Sequence, residues 1–174
     1  MTEKADVLNN QAIQLASDGD YDDAIACFKR AITLDKTNHL LWYNLGVTYR
    51  DAGKLNDAES ALKTAYIIAP DNDDVIETYA TICLMNKDYD KVKDICEEGL
   101  DLNPLFYHLW NILGVVEFQN EEYNEAAEYF EQAVSINPYY LDALYNLKDT
   151  YSELGNNAGE HECSLKINEL EKKK

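Results

Sequence analysis

Leu41-Trp42-Tyr43-Asn44-Leu45-Gly46-Val47-Thr48-Tyr49-Arg50-Asp51, with Gly53 after it and then Ala58, Ala61, Leu62, Ala65 and Pro70, is the stretch that decides the fold. Trp42, Leu45, Gly46 and Tyr49 recur at three- and four-residue steps, which puts them on one face of a helix. Gly53 breaks that helix. Ala58, Ala61, Leu62 and Ala65 mark the face of a second one. Pro70 ends it, because proline disfavours helical geometry in the residue before it. The stretch therefore predicts a helix, a tight turn and a second helix folded back on the first.

The pattern returns with a period of 34 residues. Ala24, Ala58, Val92 and Ala126 keep that step, as do Phe28, Leu62, Cys96 and Phe130, and Ala31, Ala65, Gly99 and Ala133. Pro70, Pro104 and Pro138 follow it, with Lys36 in the first copy. Trp42 and Trp110 stand two periods apart, and Leu8, Ile76 and Leu144 fill the same register. Gly19 and Gly155 match the break at Gly53, while Lys87 and Glu121 replace it elsewhere. Four copies result, at 5–38, 39–72, 73–106 and 107–140, with a partial fifth copy and a cap at 141–174. The array reads as a single domain over 1–174.

Trp42, Leu45, Gly46, Tyr49, Ala58, Ala65 and Pro70 resemble a complete tetratricopeptide signature. Trp110, Leu113, Gly114, Ala126, Phe130, Ala133 and Pro138 repeat it nearly in full. The first copy keeps Ala12, Ala24, Phe28 and Ala31, and the third keeps Tyr79, Ala80, Val92, Gly99 and Pro104. The resemblance implies an all-α fold, a right-handed superhelical α-solenoid of antiparallel helix pairs. No pair buries its apolar face alone; stacking neighbours makes the core. Gly46, Gly114 and the alanines sit where helices cross closely, and Trp42, Tyr49 and Phe130 fill the gaps beside them. On this reading both tryptophans are core aromatics, and Trp42→Ala or Trp110→Ala costs roughly 3–5 kcal/mol. The last helix departs from the repeat. Glu160 and Ser164 stand where other copies have alanine and phenylalanine, and Cys163, Ile167 and Leu170 form a narrow stripe that reads as a solvating cap. Lys172, Lys173 and Lys174 suit the negative end of that helix.

The resemblance further implies that the first helices line a concave groove for a peptide or protein. Carried over by position, the groove residues are Asn9, Tyr43, Asn44, Val47, Arg50, Thr78, Thr81, Asn111, Ile112, Val115, Phe118, Tyr145 and Asn146. Their amides suit the backbone of an extended peptide, and Tyr43, Phe118 and Tyr145 suit anchoring. Some members of the family grip a terminal carboxylate with Lys, Arg and Asn. Here only Asn44 matches, with Asn9, Ile13, Asp74 and Thr78 at the other sites, so a carboxylate clamp is not expected.

Composition narrows the partner. The 174 residues hold 33 acids against 15 bases, a formal charge of −18. Nucleic acid is excluded as a partner, because phosphate recognition needs clustered Lys and Arg. An acidic membrane surface repels the chain, and no run of about 18 apolar residues spans a bilayer. A basic protein or peptide is favoured by sign. From Asp94 to Leu147 there are eleven acids and no Lys or Arg, and six of the acids lie in the fourth copy, mostly on its second helix. The alternative reading is that this charge only keeps the chain soluble. Met1-Thr2-Glu3-Lys4-Ala5-Asp6 lacks the pattern of a secretory signal. Cys27, Cys83, Cys96 and Cys163 are far apart and form no C-x-x-C, so they read as free thiols in a reducing cytoplasm.

No catalytic constellation is present. Cys83 and Cys96 fall at periodic core positions. His161 and Cys163 are two residues apart on a helix and point to different sides, so no metal site is expected. No Gly-rich phosphate loop or nucleophile elbow occurs. The sequence predicts a non-enzymatic, cofactor-free, cytoplasmic scaffold that binds protein. A small acidic holdase-type chaperone, resembling bacterial secretion chaperones, and a self-assembling scaffold are the alternatives.

Overall fold

The computed structural model describes residues 4–172, so the expectations on Met1 to Glu3 and on Lys173 and Lys174 lie outside the described residues. Ten helices follow one another: α1 (Ala5–Ser17), α2 (Tyr21–Leu34), α3 (His39–Asp51), α4 (Leu55–Ile68), α5 (Asp73–Met85), α6 (Tyr89–Leu102), α7 (Tyr107–Gln119), α8 (Tyr123–Ile136), α9 (Leu141–Glu153) and α10 (Asn157–Glu171). First helices start at 5, 39, 73, 107 and 141, and second helices at 21, 55, 89, 123 and 157, so the 34-residue period is kept without slip. The chain divides into two compact units, Met1–Asp88 and Tyr89–Lys174, and the boundary falls between the two helices of the third copy.

In the first unit α1 packs on α2, α2 on α3, α3 on α4 and α4 on α5. In the second unit the order α6, α7, α8, α9, α10 is kept in the same way. First helices also touch across a repeat, α1 to α3, α3 to α5 and α7 to α9. Side-chain size sets these distances. A Cβ on Gly46 would stand 2.6 Å from Leu62 Cγ, and one on Gly114 would stand 2.5 Å from the Phe130 ring. The missing side chains let the second helix approach, and Leu62 and Phe130 are then buried almost completely. Each such burial contributes about 1.5–3 kcal/mol.

The turns inside the pairs are alike in backbone and unlike in residue. Gly19, Gly53, Lys87, Glu121 and Gly155 all have positive φ, at 86°, 73°, 61°, 65° and 68°. In each, the following N–H reaches back to a carbonyl five residues earlier: Asp20 to Leu15, Lys54 to Tyr49, Asp88 to Cys83, Glu122 to Glu117 and Asn156 to Tyr151, at 2.8–3.0 Å. This is the six-to-one closure of a helix whose C-terminus turns left-handed. Two of the five are therefore made by residues with a Cβ.

The tryptophans depart from the expectation. Leu8, Ile76 and Leu144 are buried in their register, but Trp42 and Trp110 are only half-buried. Their rings reach past the core to the preceding turn. Trp42 Nε1 donates to the Lys36 carbonyl at 3.0 Å, and Trp110 Nε1 donates to the Pro104 carbonyl at 2.9 Å. They occupy matching environments, as pegs over a turn rather than as core. In α10, Cys163 and Ile167 are buried and Leu170 half-buried, while Glu160 and Ser164 are turned partly to solvent.

Candidate partner-binding clefts

The first-helix face of each unit carries a cleft. In the first unit Ile13, Ala16 and Ser17 of α1, with Asn44, Val47, Thr48 and Asp51 of α3, enclose about 230 Å³ above Phe28. In the second unit Val115, Phe118 and Gln119 of α7, with Asn146 and Asp149 of α9, enclose about 140 Å³ beside Phe130. Ile13 and Val115, Ala16 and Phe118, Ser17 and Gln119, Phe28 and Phe130, and Asn44 and Asn146 are each 102 residues apart, which is three periods. The two clefts are therefore one feature made twice. The second is smaller because a phenylalanine ring stands where the first has the methyl of Ala16.

Each cleft lies in the seam between two first helices, and a polar pair closes that seam. Asn44 Nδ2 donates to Asn9 Oδ1 at 3.0 Å, and Asn146 Nδ2 donates to Asn111 Oδ1 at 2.9 Å. Between α3 and α5 the Thr78 hydroxyl donates to the Tyr43 hydroxyl at 3.3 Å. Thr48 and Thr150, both buried, donate to the Asn44 and Asn146 carbonyls at 2.7 Å. The amides expected to meet a peptide backbone are thus first of all bonded to each other.

The remaining groove positions divide by exposure. Val47, Val115 and Phe118 are half-buried and line the clefts, and Phe118 meets Tyr123 edge-on at 5.3 Å. Arg50 pairs with Asp51 at 2.9 Å beside the first cleft, and Thr81 is half-buried on α5. Tyr145 is exposed; its hydroxyl donates to Glu171 at 2.6 Å, and Lys148 Nζ sits 5.6 Å from its ring centroid. The bond to Glu171 holds its phenol above the usual range. Asn111 and Ile112 are a correction: at 8% and 7% exposure they are buried, not open to a groove. Asn111 lies in the α7–α9 seam, and Ile112 joins the hydrophobic core.

Phe28 and Phe130, the cleft floors, are absent from the groove positions implied by sequence. Size is what sets them apart in the sequence: at this register the other copies carry Leu62 and Cys96. Lys93 and the mostly buried Glu117 join α6 to α7 at 2.7 Å, and hydrogen bonding to that carboxylate raises the lysine pKa. Cys27, Cys83, Cys96 and Cys163 are free thiols. Among the described residues no group of three or more metal-ligating side chains converges, and no helix is long and apolar enough to cross a membrane.

Three family models match in succession, described as "TPR repeat" over 14–53 and as "Tetratricopeptide repeat" over 49–111 and 108–140. A protein STIP1 homolog of Dictyostelium discoideum is 32% identical over 104 residues, 59% of this chain and 18% of that protein. The uncharacterized protein ycf37 of Pyropia yezoensis is 40% identical over 55 residues, 32% of this chain and 31% of that protein. The chain thus spans less than a third of each curated relative it matches. A crystal structure of MamA protein aligns with a TM-score of 0.83 at 24% identity, over 99% of this chain and 94% of that one. PilF of Pseudomonas aeruginosa aligns at 0.81 with 17% identity, over 95% and 76%. At these identities the likeness shows the fold alone, an all-α tetratricopeptide solenoid.

Proposed function

The chain belongs to the tetratricopeptide-repeat family, and on that premise we propose that it is a scaffold, not an enzyme, that grips partner proteins through the two first-helix clefts. The observation that carries this reading is the recurrence of one cleft, with the same lining positions and a phenylalanine floor, 102 residues apart. A cleft walled by Ile13 and Val47, or by Val115 and Phe118, accepts an apolar side chain of a partner segment. Asn44 and Asn146 keep one amide proton each beyond the seam bond, and these meet the partner's backbone. Tyr43, Thr78, Thr81, Arg50 and Tyr145 frame the approach. The partner is basic, as the charge of −18 favours, and it is met in a reducing, cytoplasmic setting that suits four free cysteines.

Capture of partners from native lysate on the wild-type chain, on Val47→Glu and on Val115→Glu tests the reading. A specific partner is expected to lose at least one order of magnitude in affinity to either variant, since a carboxylate would be desolvated in the cleft. Its binding should also weaken steeply with added salt. A partner indifferent to both substitutions sinks the proposal. Suppression of aggregation of many unrelated unfolding clients would instead favour a holdase.

A further inference from the structure

A larger cavity lies elsewhere in the second unit, among α8, α9 and α10 on the side of the second helices. It encloses about 360 Å³, inside the roughly 300–1,000 Å³ of ligand sites. Val134, Pro138, Leu147, Tyr151 and Cys163 make its apolar walls and floor, and Glu131, Glu162 and Lys166 stand at its rim. It runs on past Pro138 and Lys166 into a hollow of about 220 Å³ beside Tyr139, Glu169 and Leu170. Tyr139 is 73% exposed there.

The repeat itself explains the space. One copy earlier the corresponding place is occupied: Trp110 and Tyr129 pack with ring centroids 6.0 Å apart, and the indole donates to the Pro104 carbonyl at 2.9 Å. Trp42 makes the same bond to the Lys36 carbonyl. In the last copy Leu144 stands in the register of Trp110, Cys163 in that of Tyr129 and Pro138 in that of Pro104. Two rings are lost, and leucine has no N–H for the Pro138 carbonyl. Tyr151 keeps the wall upright. Its ring covers Gly159, where a Cβ would come within 2.6 Å, and its hydroxyl donates to Glu131 at 2.7 Å.

We propose that this trough docks a tryptophan side chain carried on a basic segment of a partner protein. The indole takes the volume and the proline carbonyl that Trp110 takes one repeat earlier. Flanking Lys or Arg residues meet Glu131 and Glu162 at the rim, where Lys166 bridges Glu162 at 3.0 Å. Glu125 and Glu128 extend the same field along α8. This rests on the partner being basic but not on the first-helix clefts.

Fluorescence anisotropy with two labelled lysine-rich peptides, identical except for one tryptophan or alanine, tests it on the full chain at low ionic strength. The tryptophan peptide is expected to bind about tenfold more tightly, as buried aromatic anchors do. Cys163→Tyr, which restores the ring of the preceding copy, should erase that preference. Ser135→Phe should do the same from an exposed position at the trough edge, where folding is not at stake. Val115→Glu should leave the preference intact. Equal binding of the two peptides to the wild-type chain, or a preference that survives both trough substitutions, overturns the proposal. A preference lost in Val115→Glu and kept in Cys163→Tyr moves the site to the clefts, which overturns the trough and supports the scaffold reading.

Discussion

Replacing Glu121 by glycine should make the protein more stable. Glu121 turns the chain from α7 into α8 with φ at 65°, and its side chain is exposed. In that backbone region a Cβ crowds the following carbonyl, at a cost of roughly 1–2 kcal/mol. Three of the five equivalent turns avoid the cost with Gly19, Gly53 and Gly155. Glycine also loosens the unfolded chain, which takes back about 0.4–1 kcal/mol. The net gain is therefore about 0.5–1 kcal/mol. In a chain of this length each kcal/mol moves the melting midpoint by about 2–4 °C, so Glu121→Gly should melt about 1–4 °C higher. Far-ultraviolet circular dichroism on heating and in urea reads this directly. Gly53→Ala is the mirror experiment and should lose about 1 kcal/mol or more, because alanine then meets the same crowding. A Glu121→Gly variant that melts below the wild type, or a Gly53→Ala variant that melts with it, refutes the claim that backbone handedness limits stability at this turn.

Asn146→Ala leaves the buried Asn111 carbonyl oxygen without its amide partner and should cost roughly 1–3 kcal/mol. The double variant with Asn111→Ala should lose less than the sum of the singles in a urea-unfolding cycle; additive losses would mean that the seam bond is idle. Burial, and then the bond to Glu131, push the Tyr151 phenol above its ordinary pKa. The folded chain therefore keeps a proton that the unfolded chain releases near pH 10. Its stabilisation is whole below about pH 10 and fades as pH climbs from there toward the raised folded pKa. Urea midpoints measured across this range should fall less steeply in Tyr151→Phe than in the wild type, and equal slopes would count against the assignment.

The helix pairs are legible in the sequence because the small, bulky and breaking residues all obey one period of 34. Two other features are not, each for a physical reason. The tryptophan register is shared with Leu8, Ile76 and Leu144, which are buried. Periodicity says which way a side chain leaves its helix, not how far a large ring protrudes, so Trp42 and Trp110 read as core when they are pegs over the preceding turn. The seam bonds join Asn9 to Asn44, Tyr43 to Thr78 and Asn111 to Asn146, which are 35 residues apart. They run from one slot of a first helix to the next slot of its neighbour, because adjacent helices meet with an offset. A search at the repeat length does not pair them, and isolated amides on a helix face then look ready for a ligand. Tyr145 is exposed on α9, and Val47, Val115 and Phe118 line the clefts from α3 and α7.

Ala16 and Phe118 share the twelfth slot of a first helix, and under the cleft binding proposed above the difference between them has a consequence for selectivity. Where the methyl stands, a long guest side chain can sink to the aromatic floor; where the ring stands, only a short one fits. Selectivity at such a slot is therefore a matter of depth, adjustable by one substitution on a backbone that stays in place. An array built this way gains a new preference at one rung without giving up the ladder.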